Sequence, residues 1–557
     1  MDMNKLRIGL LLDSYDTPAW VYQVIKNIKG SAYARIDLVV IKNSLRDKPN
    51  AARINGVTSL LARKSLELIY KKLIERKYFI ANANKKENCE QLLAGAPTLN
   101  VNVERKESSN YFCHEDIEQV KSHNIDILVN LGFGALNGCI LNAARYGVWS
   151  YHHGDNCINR GGPPGFWESM ENWPETGSVL QILTDDPDNS KVLCRSFSCT
   201  FNMSVTDTIN NCFWKSPSFI TRKIKELHEI GEEAFFTKVD YDNRHPLLYS
   251  ERLYTDPTNY ELVKLVLRKL KERARSFCEN RLFTQHWILM FDLKEGFSSS
   301  LYRYKKIIPP KDRFWADPHV IYKDNKYYIY VEEYPYSTRK GHISLIVMDD
   351  NGNYGEPEIV LEKPYHLSYP FVFEHENDYY MIPESSANRT VELYKCTKFP
   401  DKWEFQMNLM EDIWAADATL YYHKNKWWMF ANVVETDGAS SWDELFLFYA
   451  DDLFSNEWQS HPLNPIISDC KTSRPAGKLF LNNGSLYRVS QNNSTRYGYG
   501  INIHEITALD ENTYDEVLVS SAKPNWDKNI TRIHTFNRVN SLHIIDAYYR
   551  RRKWHRY

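Results

Sequence analysis

Two sets of residues in this chain have the types and spacing that chemistry needs. The first lies near residue 150, where His152 and His153 end the apolar run GVWSYHH, followed by Asp155 and the glycine–proline loop from Gly161 to Gly165. A histidine at the carboxyl end of a buried strand suits proton transfer, and adjacent glycines let a ligand approach the backbone closely. A buried histidine with satisfied hydrogen bonds, next to an ordinary turn, would look the same in sequence. The second set recurs along the chain. FWADPHVIYKDNKYYIYVEE, LSYPFVFEHENDYYMIPES, IWAADATLYYHKNKWWMFANV, SRPAGKLFLNNGSLYRVSQ and RIHTFNRVNSLHIIDAYY share one scheme: lead segment, apolar strand, polar hairpin, aromatic strand. Superposing these copies puts Asp317, Tyr369, Asp417, Ala476 and His534 at one position, and Glu332, Glu384, Asn432 and Gln491 at another. Polar groups at repeated central positions are costly to bury unless they pair or bind something. Carboxylates set among aromatics suit a sugar.

The elements that must position these residues follow from periodicity. The copies begin roughly 50 to 60 residues apart, the range of four-stranded blades, so a five-bladed β-propeller is predicted over 282–557. The early strand HWILMFDL (286–293) completes the last blade and closes the ring, which removes exposed sheet edges. Up to residue 205, apolar runs such as LRIGLLL, ARIDLVVI and DILVNLG alternate with helical stretches. That alternation predicts an α/β domain over 1–205 with a mainly parallel sheet, whose ligands bind beyond the carboxyl ends of the strands, where His152 and His153 fall. Residues 206–281 have helical spacing and are read as a helical connector.

Composition bounds the function. Lys plus Arg number 69 against 71 Asp plus Glu, so there is no overall basic field and nucleic acid is not expected as a partner. No glycine loop follows the first strand, which argues against a dinucleotide site. The chain shows no long apolar run and its start, MDMNKLRIGLLLDSYD, lacks the features of a signal peptide, so no transmembrane segment is expected. The ten Cys have no CxxC and no regular frame. They read as reduced thiols of a cytoplasmic protein, with no metal site. The tail YYRRRKWHRY gathers Arg550, Arg551, Arg552, Lys553 and Arg556. It is either a solvated edge or a peripheral contact with an anionic lipid head group or a nucleotide-linked substrate.

The stretch SYHHGDNCINRGGPPGFWESMENWPETGSVLQIL, followed by DDPDNSKVL, resembles the signature of the formyltransferase-fold family, which includes methionyl-tRNA formyltransferase and the sugar N-formyltransferases. The resemblance aligns Ser150 with the family's Asn, His152 with its His, Arg160 and Gly161 with its R-G, Glu175-Thr176-Gly177 with its E-T-G, and Asp188 with its catalytic Asp. It implies a formyltransferase-like fold, 10-formyltetrahydrofolate as donor, and an amino sugar, a nucleotide-linked sugar or a glycan as acceptor. His152 would take the proton from the attacking amine, Asp188 would orient the imidazole, and Ser150 would stand where the family has an oxyanion donor. His153 and Asp155 would assist, with Arg160 and Gly161 against the substrate.

The propeller half resembles the N-terminal domain of plant glucosamine inositolphosphorylceramide transferases and, more distantly, the five-bladed glycoside hydrolases. The matching pieces are FWADP, MIPES with VELYKC and FPDKWEF, and WAADATL with KWWMF. This resemblance implies a carbohydrate site at Asp317, Glu332, Tyr369, Glu384 and Asp417, with Asp317 a base and Asp417 tuning an acid at Glu384 or Glu332. Taken together, the chain is expected to transfer a formyl or related acyl group to an amino sugar in surface-glycan or glycolipid biosynthesis, its propeller holding the carbohydrate. Two alternatives stand beside that reading. One is a propeller-based glycoside hydrolase or glycosyltransferase with a degenerate formyltransferase domain, and the other is a non-catalytic glycan-binding scaffold.

Overall fold

The computed structural model describes residues 5–43, 64–75, 80–106, 109–186 and 189–553. It divides into two compact units, Met1–Lys271 with Thr436–Ala439, and Glu272–Glu435 with Ser440–Tyr557.

The first unit is built on β1 (Leu6–Leu12), β2 (Ala34–Lys42), β3 (Thr98–Val101), β4 (Ile127–Asn130), β5 (Val148–His152), β6 (Glu175–Ile182) and β7 (Lys191–Cys199). They form one sheet in the order β7-β6-β5-β4-β1-β2-β3. Strands β3, β2, β1, β4 and β5 are parallel neighbours, while β6 runs antiparallel to both β5 and β7. The sheet is therefore mixed, with its parallel part as expected. Its central runs are apolar on both faces because helices cover both. On one face, Val21, Val24 and Ile25 of α1 (Ala19–Gly30) pack against the strands. On the other, Ile117 and Val120 of α2 (His114–Ser122) do so. A short α3 (Phe166–Glu171) follows the glycine–proline loop.

The expected connector divides. Residues beyond β7 form α4 (Val205–Lys215), α5 (Pro217–Ile230) and α6 (Glu232–Asp242). Ser204 Oγ caps α4 by accepting from the Asp207 amide at 3.1 Å. Phe219, Ile220, Ile224, Phe235 and Val239 then join the core of the sheet. These helices are part of the first unit, which extends to Lys271 within α7 (Asn259–Leu282). Among the described residues no helix is long and apolar enough to cross a membrane.

The second unit is a five-bladed β-propeller, each blade a sheet of four or five strands. Blade one contains β9 (Arg313–Lys323) and β10 (Lys326–Pro335), blade two β11 (Ser368–His375) and β12 (Asp378–Ser385), and blade three β13 (Ala415–His423) and β14 (Lys426–Val433). Blade four contains β15 (Ser485–Asn492). The fifth blade joins both ends of the unit: β8 (Phe283–Leu293) pairs antiparallel with β16 (Leu542–Arg552), from Phe283 opposite Arg552 to Leu293 opposite Leu542. The aromatic richness of this half is spent between blades, where Tyr330, Tyr394 and Trp403 pack in one cluster and Phe371, Tyr380 and Trp427 in another.

Candidate functional site

The lead strands of blades one to three share a distortion that aims their side chains. Ala316 pairs with Glu332 and His319 with Tyr330, so Asp317 and Pro318 oppose the single residue Val331. The same two-against-one mismatch recurs at Tyr369-Pro370 and at Asp417-Ala418. The first residue of each bulge is left-handed, with φ of 52° at Asp317, 42° at Tyr369 and 54° at Asp417. Such backbone is uncommon outside glycine and costs on the order of 1–3 kcal/mol each. A bulge of this kind re-aims a side chain out of the strand's alternation. The second repeated position falls beside it, since Glu332, Glu384 and Asn432 pair with the residue preceding each bulge.

The result is a buried cluster of carboxylates. Arg474, from blade four, meets Asp417 at two points, Nε to Oδ2 at 2.6 Å and Nη2 to Oδ1 at 3.2 Å, and its Nη2 also donates to Glu384 Oε2 at 3.2 Å. The Gln491 amide donates to Asp417 Oδ2 at 2.9 Å. Burial pushes Asp417 up to about 7 against the opposing pull of Arg474. Glu384 additionally accepts from Ser386 Oγ at 2.8 Å.

Across the cluster, Asp317 accepts from Thr535 Oγ1 at 2.7 Å and lies 3.4 Å from His534 Nε2. The other nitrogen of His534 is 2.7 Å from Asp546 Oδ2. Asp546 is anchored by three backbone amides, those of Asp317, His534 and Thr535, at 2.9 to 3.0 Å. Trp287 stacks on His534 with ring centroids 4.1 Å apart. Burial alone would lower His534, but Asp546 and Asp317 outweigh it and raise its pKa. Burial lifts Asp317 to about 6, with His534 opposing.

Glu332 completes the cluster. Burial first, then the neighbouring Asp317 and Glu384, raise its carboxyl well above the usual range. Its Oε1 lies 3.4 Å from His366 Nε2. His366 Nδ1 accepts the Gly341 amide at 2.8 Å, so the proton of the neutral ring sits on Nε2, the nitrogen on the side of Glu332. Tyr369 has a different place. Its hydroxyl accepts the Gly477 amide at 2.8 Å and bonds Thr419 Oγ1 at 2.9 Å, so it braces blades two, three and four and presents no group to a ligand.

The structure thus brings Asp317, Glu332, Glu384 and Asp417 together and adds Arg474, His366 and Asp546, which the repeat alignment does not single out. Arg474 stands two residues before Ala476, the copy in which the repeated carboxylate is absent. The one available signal for Asp546 was an acid in the second strand of the last copy.

In the first unit, a cleft of about 1240 Å³ is lined by His152, Asn156, Arg160, Gly161, Gln181 and Arg195 among others. His152 Nε2 lies 2.7 Å from the Asn159 carbonyl, which can only accept, so Nδ1 is the basic nitrogen. Burial lowers its pKa. The Asn159 amide donates to Glu168 Oε1 at 3.1 Å, and burial pushes that carboxyl up to about 7. Ser150 is buried on β5, its Oγ 3.4 Å from Asn130 Nδ2, so an amide donor does reach this point from β4. Arg160 stacks over Tyr249 at 4.3 Å on the cleft wall, and a Cβ on Gly161 would sit 2.0 Å from the Tyr254 carbonyl.

The other expected residues lie elsewhere. His153 turns into the core, edge-on to Trp20 and Phe213, with Nε2 3.1 Å from Ser216 Oγ, and burial drives it down to about 3. It is a packing residue and not a member of the cleft. Asp155 accepts the Cys157 amide at 2.9 Å and shapes the loop. Asp188 lies outside the described residues.

The family model described as glucosamine inositolphosphorylceramide transferase 1, N-terminal, matches residues 307–548, all within the propeller. Glucosamine inositolphosphorylceramide transferase 1 of Oryza sativa subsp. japonica is 34% identical over 210 residues, 37% of this chain and 28% of the relative. That of Arabidopsis thaliana is 31% identical over 232 residues, 40% and 30% of the two chains. The chain spans less than a third of the length of these relatives. Among solved structures, the GH62 α-L-arabinofuranosidase of Coprinopsis cinerea aligns at a TM-score of 0.33 with 10% identity, covering 48% of this chain and 96% of its own. Glycinamide ribonucleotide transformylase 1 of Symbiobacterium toebii aligns at 0.26 with 13% identity, covering 40% and 89%. Neither score is high enough to carry weight. The formyltransferase-like fold and the formyl transfer expected of residues 1–205 thus rest on the sequence signature alone.

Proposed function

We propose that the axial cluster of the propeller binds a carbohydrate and breaks or transfers a glycosidic bond in glycan or glycolipid biosynthesis. The observation that carries this reading is an imbalance of buried charge. Asp317, Glu332, Glu384, Asp417 and Asp546 act on one another, while Arg474 is bonded to Asp417 and Glu384 and His534 stands 3.4 Å from Asp317 and 2.7 Å from Asp546. Carboxylates in unlike environments separate into an acid and a base. Glu332 keeps its proton and gives it to the glycosidic oxygen as the C–O bond breaks, and Asp317 takes the proton of the incoming hydroxyl, from water or from an acceptor sugar. Glu384 is held by Arg474 and Ser386, which leaves the acid role to Glu332. The name shared by the relatives supports an amino sugar on a glycolipid head as the substrate class.

The full chain is to be incubated with amino-sugar glycosides and nucleotide-linked amino sugars, with products followed by mass spectrometry. Glu332→Gln and Asp317→Asn are expected to lose about 10²- to 10⁴-fold in rate, with His152→Ala unchanged. Equal turnover in both carboxylate variants sinks the proposal, and saturable binding without turnover leaves a glycan-binding scaffold.

The cleft of the first unit favours a second reading, acyl transfer with His152 Nδ1 as base. The size of the cleft and the cationic wall of Arg160 and Arg195, whose Nε is buried without a partner, suit a folate carrying carboxylates. 10-Formyltetrahydrofolate would supply the formyl group for an amino-sugar acceptor. Calorimetry of the full chain with 5-formyltetrahydrofolate tests this reading, and absence of binding rejects it.

A further inference from the structure

We infer that the C-terminal half of α7 and the end of β16 form a docking face for an anionic lipid surface. From Glu272 to Leu282 the helix carries Arg273, Arg275 and Arg281, and the strand ends in Arg550, Arg551, Arg552 and Lys553. Glu272 and Glu279 are the carboxylates of the same two segments. The strand end is fixed to the helix end. Lys553 donates its backbone amide to the Leu282 carbonyl at 3.0 Å and its ammonium to the Asn280 carbonyl at 2.7 Å, satisfying acceptors that a helix leaves open at its C-terminus. Arg550 lies over the Phe283 ring at 4.6 Å and reaches Glu279 at 3.9 Å. These contacts hold Arg550 and Lys553 against the helix end that carries Arg275 and Arg281, and the basic residues of the two segments outnumber their carboxylates. Arg275 remains 82% exposed although it bonds Glu279.

Charge alone would mark a solvated edge, but apolar side chains stand among the arginines. Phe277 is 66% exposed and Leu282 53%. Basic residues interleaved with exposed apolar ones match the headgroup boundary of a bilayer, where cations meet anionic lipid and apolar side chains enter the acyl region. The formal net charge of −2 over the chain means that no general basic field exists, so any attraction for anionic lipid is local to this face. The face belongs to the propeller unit and is independent of its axial cluster, so it stands whether or not that cluster is catalytic.

Flotation of the full chain with vesicles tests it. Binding is expected to vesicles of phosphatidylcholine with about 30 mol% phosphatidylserine, not to phosphatidylcholine alone, and to be lost near 0.5 M NaCl, roughly where screening shortens to a few ångströms. The combined Arg275→Glu, Arg281→Glu and Arg552→Glu variant should bind at least about tenfold more weakly, and Phe277→Ser should weaken binding without changing its salt dependence. All four positions are outside the core, and an unchanged thermal midpoint verifies folding. Equal binding to both vesicle types overturns the inference, as does full binding by the charge-reversed variant. Tighter binding to a duplex oligonucleotide than to the anionic vesicles would also overturn it, by making the partner a nucleic acid.

Discussion

Arg474 and Asp417 form a two-point pair between blades four and three, with Nε 2.6 Å from one carboxylate oxygen and Nη2 3.2 Å from the other. Both are buried, and the same guanidinium holds Glu384. Removing one member of a buried pair leaves the other charge uncompensated, at a cost of about 3–5 kcal/mol. Arg474→Ala is therefore expected to lower the unfolding midpoint of the propeller sharply, and Arg474→Lys to restore little, because an ammonium cannot make both contacts. Combining Arg474→Ala with Asp417→Asn should cost much less than the sum of the two. Additive losses in the thermal midpoint would show that the pair is not coupled.

Tyr369 gives a smaller and more local expectation. Its hydroxyl is the acceptor for the buried Gly477 amide, so Tyr369→Phe leaves that donor unpaired at a cost of about 1–3 kcal/mol. Hydrogen exchange at the Gly477 amide should accelerate while exchange in the outer strands stays the same. Protection unchanged at Gly477 would mean that the brace is not needed.

The hairpin repeat was legible because each blade repeats one alternation of apolar and polar residues, and the ring closure followed from the spare strand at 286–293. The bulges were not, since one extra residue in a strand leaves no mark in composition. Their consequence was legible all the same, because superposed copies put Asp317 and Asp417 at one position. Arg474 was not legible, since its partners come from two other blades. His152 and His153 show the limit at the scale of one residue: strand alternation sends one to the cleft and the other against Trp20. The helices at 205–242 were recognisable from their spacing, yet an amphipathic face does not say which sheet it will cover.

Gly177 makes the loop of the first unit testable without a substrate. A Cβ there would sit 2.7 Å from the Asp155 backbone, a contact that backbone cannot relieve without moving. Gly177→Ala should displace the turn that carries Asp155 and Asn159, and with it the carbonyl that holds His152. Limited proteolysis between 155 and 163 should quicken relative to the wild type, at an overpacking cost of about 1–3 kcal/mol. An unaltered digestion pattern would show that β6 tolerates the side chain.

The axial cluster also predicts the pH dependence of stability. Burial lifts Asp317 to about 6 and raises Glu332 well above the usual carboxylate range, and the flanking carboxylates raise His534. In each case the folded state holds a proton that the unfolded chain releases at lower pH. Stability from these groups is therefore complete below their unfolded pKa values and is lost as pH rises through the folded ones. For Asp317 the window runs from about 4 to 6, and a shift of that size corresponds to about 3 kcal/mol. Asp317→Asn and Glu332→Gln remove a proton that must be given up, so each variant should gain midpoint relative to the wild type on going from pH 5 to pH 8. Scanning thermal unfolding of all three proteins across that range reads the difference directly. Parallel curves would mean that the carboxylates ionise at ordinary pH in the fold, and Glu332 would then have no proton to give at neutral pH.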